Sequence, residues 1–194
     1  MTDRLPDNLA VLYGAFSREA IEQILPGESF VVDGVEFVCK YSPESTPRRF
    51  FIVKPMELVE RYRRLCETEW RNRNIVELGI AEGGSTALLA LLARPKKLVA
   101  VDLEPKRLEA LDQFIHDRRL EDSVQPCYGV DQADHDQLAR IVDEAFRDEP
   151  LDVVIDDASH QYDLTRASFE TLFPRLRPGG VVHHRGLERG SHDA

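Results

Sequence analysis

Asp156, Asp157, Ala158, Ser159 and His160 put two adjacent carboxylates and an imidazole into one short stretch. Adjacent acids repel, so a site that keeps both ionised needs a cation, hydrogen bonds or a raised pKa. Asp157 is a candidate oxygen ligand for Mg²⁺, an ion that prefers carboxylates and water. His160, whose unperturbed pKa is near neutral, can take a proton from a substrate hydroxyl. The competing reading has His160 only capping or packing at a helix start. The stretch follows the apolar run 151–155, so these groups leave a buried strand together.

A second cluster begins at Glu77 and runs through Leu78, Gly79, Ile80, Ala81, Glu82, Gly83 and Gly84 to Ser85. Glycines turn the backbone tightly and leave room for a ligand against it. Ser85 is placed to cap the next helix, whose N–H groups then face the ligand. Gly79-x-Ala81-x-x-Gly84 also resembles a dinucleotide fingerprint with one glycine replaced. The acid before the first glycine sits awkwardly near a pyrophosphate. It suits a ligand with a cationic amine, and S-adenosylmethionine (SAM) carries an ammonium and no phosphate.

Asp102 ends an apolar run 25 positions after Glu77. An acid at a second strand end can accept both hydroxyls of a ribose, which serves NAD and SAM alike. Its alternative role is a cap for a helix beginning at Pro105. Asp131 and Gln132 close the next apolar run. Either can hydrogen-bond an adenine amino group, or they can form only a turn and a helix start.

The elements that must position these groups alternate. From residue 75, strands are expected at 75–78, 97–101, 123–130 and 151–155, and helices at 85–93, 105–119, 137–147 and 163–176, the last closed by Pro178-Gly179-Gly180. Repeated strand–helix units imply an α/β, Rossmann-like fold with a mostly parallel sheet and helices on both faces. Ligands in such sheets lie beyond the carboxyl ends of the strands. The first 54 residues form a small N-terminal cap, with a helix over 9–25 and a hairpin turning at Asp33-Gly34. The hairpin's return strand runs through Val35, Phe37, Cys39 and Tyr41. A further strand is expected at 49–53, and Pro55 opens a helix to about residue 72.

The bulk properties narrow the partners. The chain has 194 residues, 42% of them hydrophobic, which fits one globular domain. Its net charge of -10 argues against a nucleic-acid backbone, and residues 131–160 alone carry ten Asp or Glu against two Arg. No apolar run is long enough to cross a bilayer, and no signal peptide is evident. Cys39, Cys66 and Cys127 have neither zinc nor redox spacing, so reduced thiols and a cytoplasmic setting are expected.

Together these motifs resemble the class I SAM-dependent methyltransferases. They are closer to the group containing macrolide sugar O-methyltransferases and the proteins called cephalosporin hydroxylases. The stretches that carry the resemblance are Val76-Glu77-Leu78-Gly79 with Gly83-Gly84-Ser85, Val101-Asp102, Ile155 through His160, and Leu176-Arg177-Pro178-Gly179-Gly180. It covers about residues 50–182. It implies that Glu77, Gly79, Ala81, Gly83 and Ser85 hold the amino acid part of SAM, and Asp102 the ribose. Asp156 lines the cofactor side, Asp157 binds Mg²⁺, and His160 is the general base. The implied reaction is O-methylation of a small-molecule acceptor, a sugar or another natural-product group.

The sequence departs from that group after residue 182. The group's next strand ends in a Glu-Asp pair that completes the metal site, whereas Arg185 and Gly186 stand there in register. No strand pattern follows Val182, so 55–182 is expected as the SAM-binding domain and 183–194 as an aberrant tail. The two last strands of the usual fold are expected to be missing, leaving an open sheet edge able to pair with another chain. Codons allowed from His183 onward, read one base later, spell Ile-Ile-Glu-Asp-Trp-Ser-Gly-Ala-Ala-Met-Met. One extra base near codon 183 is therefore a hypothesis, which the gene's bases there decide. The rival readings are a non-catalytic SAM-binding remnant and an NAD-dependent oxidoreductase.

Overall fold

The computed structural model describes residues 25 and 27–184. The expected helix over 9–25, apart from Leu25, lies outside the described residues, as do Arg185, Gly186 and the rest of the tail. The described chain opens with a three-stranded sheet. Strands β1 (Ser29–Val32) and β2 (Val35–Val38) pair antiparallel, with Val32 opposite Val35. Asp33 and Gly34 both have positive φ, 47° and 78°, as the tight two-residue hairpin requires. The return strand stops at Val38, so Cys39 and Tyr41 fall outside it. Strand β3 (Arg49–Phe51) then adds parallel to β2, which makes the cap a sheet rather than a lone hairpin.

Helix α1 (Met56–Thr68) starts directly after Pro55 and leads into the main sheet. That sheet contains β4 (Asn74–Leu78), β5 (Lys97–Asp102), β6 (Val124–Tyr128), β7 (Leu151–Asp156) and β8 (Leu176–His184). Its order is β6-β5-β4-β7-β8, with every pair parallel. The crossovers carry α2 (Gly84–Leu92), α3 (Glu109–Arg118), α4 (His135–Phe146) and α5 (Tyr162–Leu172). The fold is Rossmann-like, as the strand–helix alternation requires.

Side chains alternate across each strand, so the apolar runs feed two cores. Ile75, Leu98, Val153 and Ile155 face one side. There they pack with Val59 and Cys66 of α1, the apolar residues of α2, and Phe114 of α3. Val76, Leu78, Val99 and Val154 face the other side, against Leu138 and Val142 of α4 and Leu172. The N-terminal sheet joins the first core: Phe50 meets the Phe114 ring edge-on at 5.4 Å, and Phe37 stacks on Phe50. No helix among the described residues is long and apolar enough to cross a membrane.

Several boundaries differ from expectation. Helix α3 begins at Glu109 instead of 105, and α5 ends at Leu172, followed by a single 3₁₀ turn (Phe173–Arg175). Pro178-Gly179-Gly180 lies inside β8, where the register jumps from Leu151–Leu176 to Val153–Val181. β8 also runs two residues past Val182. His183 pairs with Ile155 and His184 with Asp156, and the His183 ring stands edge-on to Trp70 at 4.8 Å. That ring contact and the parallel ladder hold as strand a sequence that lacks strand-forming residues.

One buried acid clamps the far end of the sheet. Asp152 accepts from the Asn74 N–H at 2.9 Å and from the Arg177 guanidinium, joining β7 to β4 and β8. Asp152→Ala leaves the buried Asn74 N–H without its acceptor and takes the Arg177 guanidinium's carboxylate away. It is expected to lower stability by about 2–3 kcal/mol, read as a shift of the urea midpoint. A midpoint equal to the wild type would show that the clamp carries no stability.

Candidate functional site

The main chain winds outward from β4 through β5 to β6, then returns to lay β7 on the other side of β4. Where winding reverses, the loops diverge and open a crevice at the carboxyl ends of the strands. Glu77 and Leu78 end β4, and Asp156 pairs with Leu78 at the end of β7. The Asp157 N–H donates to Leu78 O at 3.0 Å, so the two loops leave the sheet side by side.

Glu77 is fully buried. Its Oε2 accepts from the Thr86 hydroxyl at 2.6 Å, while Oε1 is buried with no hydrogen-bond partner. Burial pushes its pKa up to about 7, against the pull of the Ser85 and Thr86 hydroxyls and the Lys54 ammonium. A buried carboxylate oxygen without a donor is costly, and a ligand ammonium would supply one.

The loop after Glu77 corrects two expectations. Gly79 has φ +95°, and a Cβ there would come within 2.6 Å of the Asp157 carbonyl oxygen. A Cβ on Gly83 would come within 2.7 Å of Leu108, and one on Gly84 within 2.2 Å of the Phe51 carbonyl oxygen. These glycines make room for the protein's own chain, because the β7 loop packs against Gly79, Leu108 against Gly83 and the cap against Gly84. Ala81 has φ 47° and keeps its Cβ. The cap of α2 is Gly83, and Ser85 is the helix's second residue, buried beside Glu77, so it does not cap.

Asp102 holds the loop in shape. Its Oδ2 accepts from the N–H groups of Ile80 and Ala81 at 2.7 and 2.9 Å, and its Oδ1 from that of Glu104 at 2.9 Å. It does not cap α3, whose N-cap is Leu108. Oδ1 retains capacity for a further hydrogen bond. Glu82, which sequence reasoning passed over, is also largely buried, and desolvation and the Asp102 charge push it up to about 7. Its signal was an acid inside the glycine turn itself.

At the neighbouring ends, Asp131 forms a local turn, its Oδ1 accepting from the Ala133 N–H at 2.8 Å. Gln132 is buried and accepts from the Ser159 N–H at 3.2 Å. Its amide donates to the Ser168 hydroxyl at 3.4 Å, which in turn donates to Asp156 Oδ2 at 3.2 Å. Burial raises the Asp156 pKa. The chain Gln132–Ser168–Asp156 fixes the start of the Asp157–His160 turn.

Asp157 lies between two cations or potential cations. The Lys54 ammonium forms a hydrogen-bonded ion pair with Oδ2, and both side chains are almost wholly buried. His160 Nε2 stands 3.7 Å from Oδ1, and His160 is itself buried with φ 56°. Lys54 was missed by sequence reasoning. Its signal was a lysine between a predicted strand and the proline that opens the next helix.

The residues fit the cofactor and the metal differently. Glu77 Oε1 offers an acceptor for an ammonium. The loop N–H groups that would bind a pyrophosphate are already taken by Asp102, amid three carboxylates. A divalent ion finds less. Among the described residues no group of three His, Cys, Asp or Glu converges to hold a metal, and Asp157 already carries the Lys54 ammonium. The described residues do not fit Mg²⁺.

Residues 76–184 match a family model described as a methyltransferase domain. Over 51 residues the chain is 51% identical to mycinamicin VI 2''-O-methyltransferase of Micromonospora griseorubida, covering 26% of this chain and 12% of that one. Over 114 residues it is 32% identical to 8-demethyl-8-alpha-L-rhamnosyl tetracenomycin-C 2'-O-methyltransferase of Streptomyces olivaceus, covering 55% and 26%. Among solved structures, an O-methyltransferase from Bacillus cereus in complex with SAH superposes with a TM-score of 0.52 at 27% identity. That match covers 65% of this chain and 54% of that one. The chain thus spans about a quarter or less of the curated relatives it matches.

Proposed function

Since the chain belongs to the methyltransferase domain family, we propose that it transfers the methyl group of SAM to a hydroxyl of a small molecule. The observation that carries this reading is the Glu77 carboxylate, buried at the switch point with one oxygen lacking a donor, beside a loop whose N–H groups are spent on Asp102. Such a crevice favours an ammonium and disfavours a pyrophosphate. The O-methyltransferase relatives named above support hydroxyl oxygen as the acceptor atom.

Bound SAM supplies an electrophilic methyl carbon on its sulfonium sulfur. The chain's residues do the rest. Glu77 receives the ammonium. Gly79, Ala81 and Ser85 shape the wall around the amino acid part, and Gly83 lets Leu108 pack against the loop from behind. Asp102 turns its remaining Oδ1 capacity to the ribose, while Asp131 or Gln132 meets the adenine edge. Asp156 holds the β7 side of the crevice through Ser168. His160 would accept the proton that the acceptor's hydroxyl gives up on methylation. Asp157 stabilises the imidazolium that results. Positioning accounts for much of the rate, because the methyl is already activated and needs a hydroxyl in line with it.

Calorimetric titration with S-adenosylhomocysteine and with NAD⁺, each in EDTA and in excess Mg²⁺, tests the reading. S-adenosylhomocysteine is expected to bind with the same affinity in both buffers, and NAD⁺ not to bind. NAD⁺ binding without S-adenosylhomocysteine binding would sink it in favour of an oxidoreductase.

A further inference from the structure

We propose that Lys54 holds the carboxylate of the cofactor's amino acid, an inference that rests on the SAM reading above. The backbone from Phe51 to Lys54 leaves β3 and runs along the mouth of the crevice. With Gly79, Glu82, Ser85 and Asp157 it lines a small cavity directly above the end of β4. Three of its lining residues, Ser85, Lys54 and Asp157, act electrostatically on Glu77, so it is the end of the crevice where an amino acid group would lie.

The charges there are lopsided. Glu82 and Asp157 line the cavity and Glu77 feels the charges of Lys54 and Asp157, while Lys54 is the one cation among the lining residues described. A free amino acid group carries an ammonium and a carboxylate on one carbon, so its site needs an acid and a cation close together. Glu77 offers the acid and Lys54 the cation. The Lys54 side chain is 6% exposed, and Asp157 is its hydrogen-bond partner among the described residues. An ammonium has three N–H donors, so Lys54 can keep Asp157 and still donate to a carboxylate. The Tyr62 ring, 5.4 Å from the nitrogen, limits where the ammonium can swing.

A purely structural role explains less. Buried ion pairs are weak stabilisers, because desolvation cancels most of their attraction. An apolar residue would seal the cap onto α2 at no greater cost. A lysine on the cavity wall is accounted for when an anion arrives there.

The test compares three ligands by calorimetry: S-adenosylhomocysteine, its decarboxylated analogue S-adenosyl-3-thiopropylamine, and 5'-methylthioadenosine, which lacks the whole amino acid group. The wild-type protein is expected to bind S-adenosylhomocysteine about 10–100-fold more tightly than the decarboxylated analogue, the range of a charge-assisted hydrogen bond. Lys54→Met is expected to erase that difference and to leave 5'-methylthioadenosine within about twofold of wild type, since the ribose and adenine contacts are untouched. If Lys54→Met does not fold with Asp157 left unpaired, the double variant Lys54→Met with Asp157→Asn removes both charges and is expected to behave the same way. Equal binding of S-adenosylhomocysteine and its decarboxylated analogue by the wild type overturns the proposal and leaves the SAM reading standing. So does a folded Lys54 variant that still discriminates between them, or one that weakens all three ligands alike. Wild-type protein that binds none of the three removes the SAM reading itself.

Discussion

Gly84→Ala is expected to lower the unfolding free energy by about 2–3 kcal/mol and to abolish S-adenosylhomocysteine binding at concentrations that saturate the wild type. The cause is purely steric. Gly84 opens α2 with ordinary helical geometry, so alanine meets no backbone strain there. Its new Cβ, however, would lie 2.2 Å from the Phe51 carbonyl oxygen and 2.6 Å from Ile52 Cγ1. Backbone cannot move aside as a flexible side chain can, so the 51–54 segment must lift from α2. That segment ends in Lys54 and joins the N-terminal sheet to the first core. Stability and the crevice are thus expected to fail together. Gly129→Ala provides the contrast. Its φ of +69° strains an alanine, but the nearest atoms lie at 3.5 Å, so about 1 kcal/mol is expected and binding should survive. Urea unfolding followed by calorimetry reads both variants. A Gly84→Ala protein as stable as Gly129→Ala would show that the cap does not lie against the loop.

The second large effect is on pH dependence. Glu77 in the folded protein is pushed up to about 7 by burial first, opposed by the Ser85 and Thr86 hydroxyls and by Lys54, and reinforced by Asp157. Its ordinary value is 4.5. The native state therefore keeps a proton that the unfolded chain releases between those values. The stability linked to it is complete below pH 4.5 and is lost as pH rises through about 7. For Glu77 alone this is up to about 3 kcal/mol. Glu82, raised to about 7 by burial and by Asp102, acts in the same window and the same direction. Cofactor binding runs the opposite way, since a ligand ammonium is held by the ionised carboxylate. S-adenosylhomocysteine affinity is expected to rise about tenfold from pH 6 to pH 8, following the ionised fraction of a group with pKa near 7. Glu77→Gln should flatten that rise. Affinity that stays level or falls over this range in the wild type would remove Glu77 as the ammonium's partner.

The order of elements was legible because it depends on local pattern. Apolar runs of four to six residues separated by helical spacing leave few options besides a parallel sheet, and acids at the ends of those runs fall at the ligand edge. Boundaries shifted where tertiary contacts outweighed propensity. His183 and His184 extend β8 because Ile155 and Asp156 offer them a ladder and Trp70 offers a ring. The purpose of Gly83 and Gly84 was misread for a related reason. A glycine reports that something approaches the backbone, and only the fold shows that the visitor is the protein's own chain, Leu108 at Gly83 and the cap at Gly84.

The residue types alone determined the α/β framework, the placement of Glu77, Asp102, Asp156, Asp157 and His160 at strand ends, and the resemblance that joins them to methyl transfer. Tertiary structure decided what each of those groups touches. Lys54 reaches Asp157 across 103 positions of sequence, and Asp102 reaches the Ile80 and Ala81 N–H groups across 22 and 21. Hydrogen bonding and charge pairing act over a few ångströms, and no local pattern brings residues that far apart in the chain within that range. The raised pKa of Glu77 has the same origin. Its cause is the exclusion of water by helix, cap and sheet together, which is a property of the assembled packing rather than of any one segment.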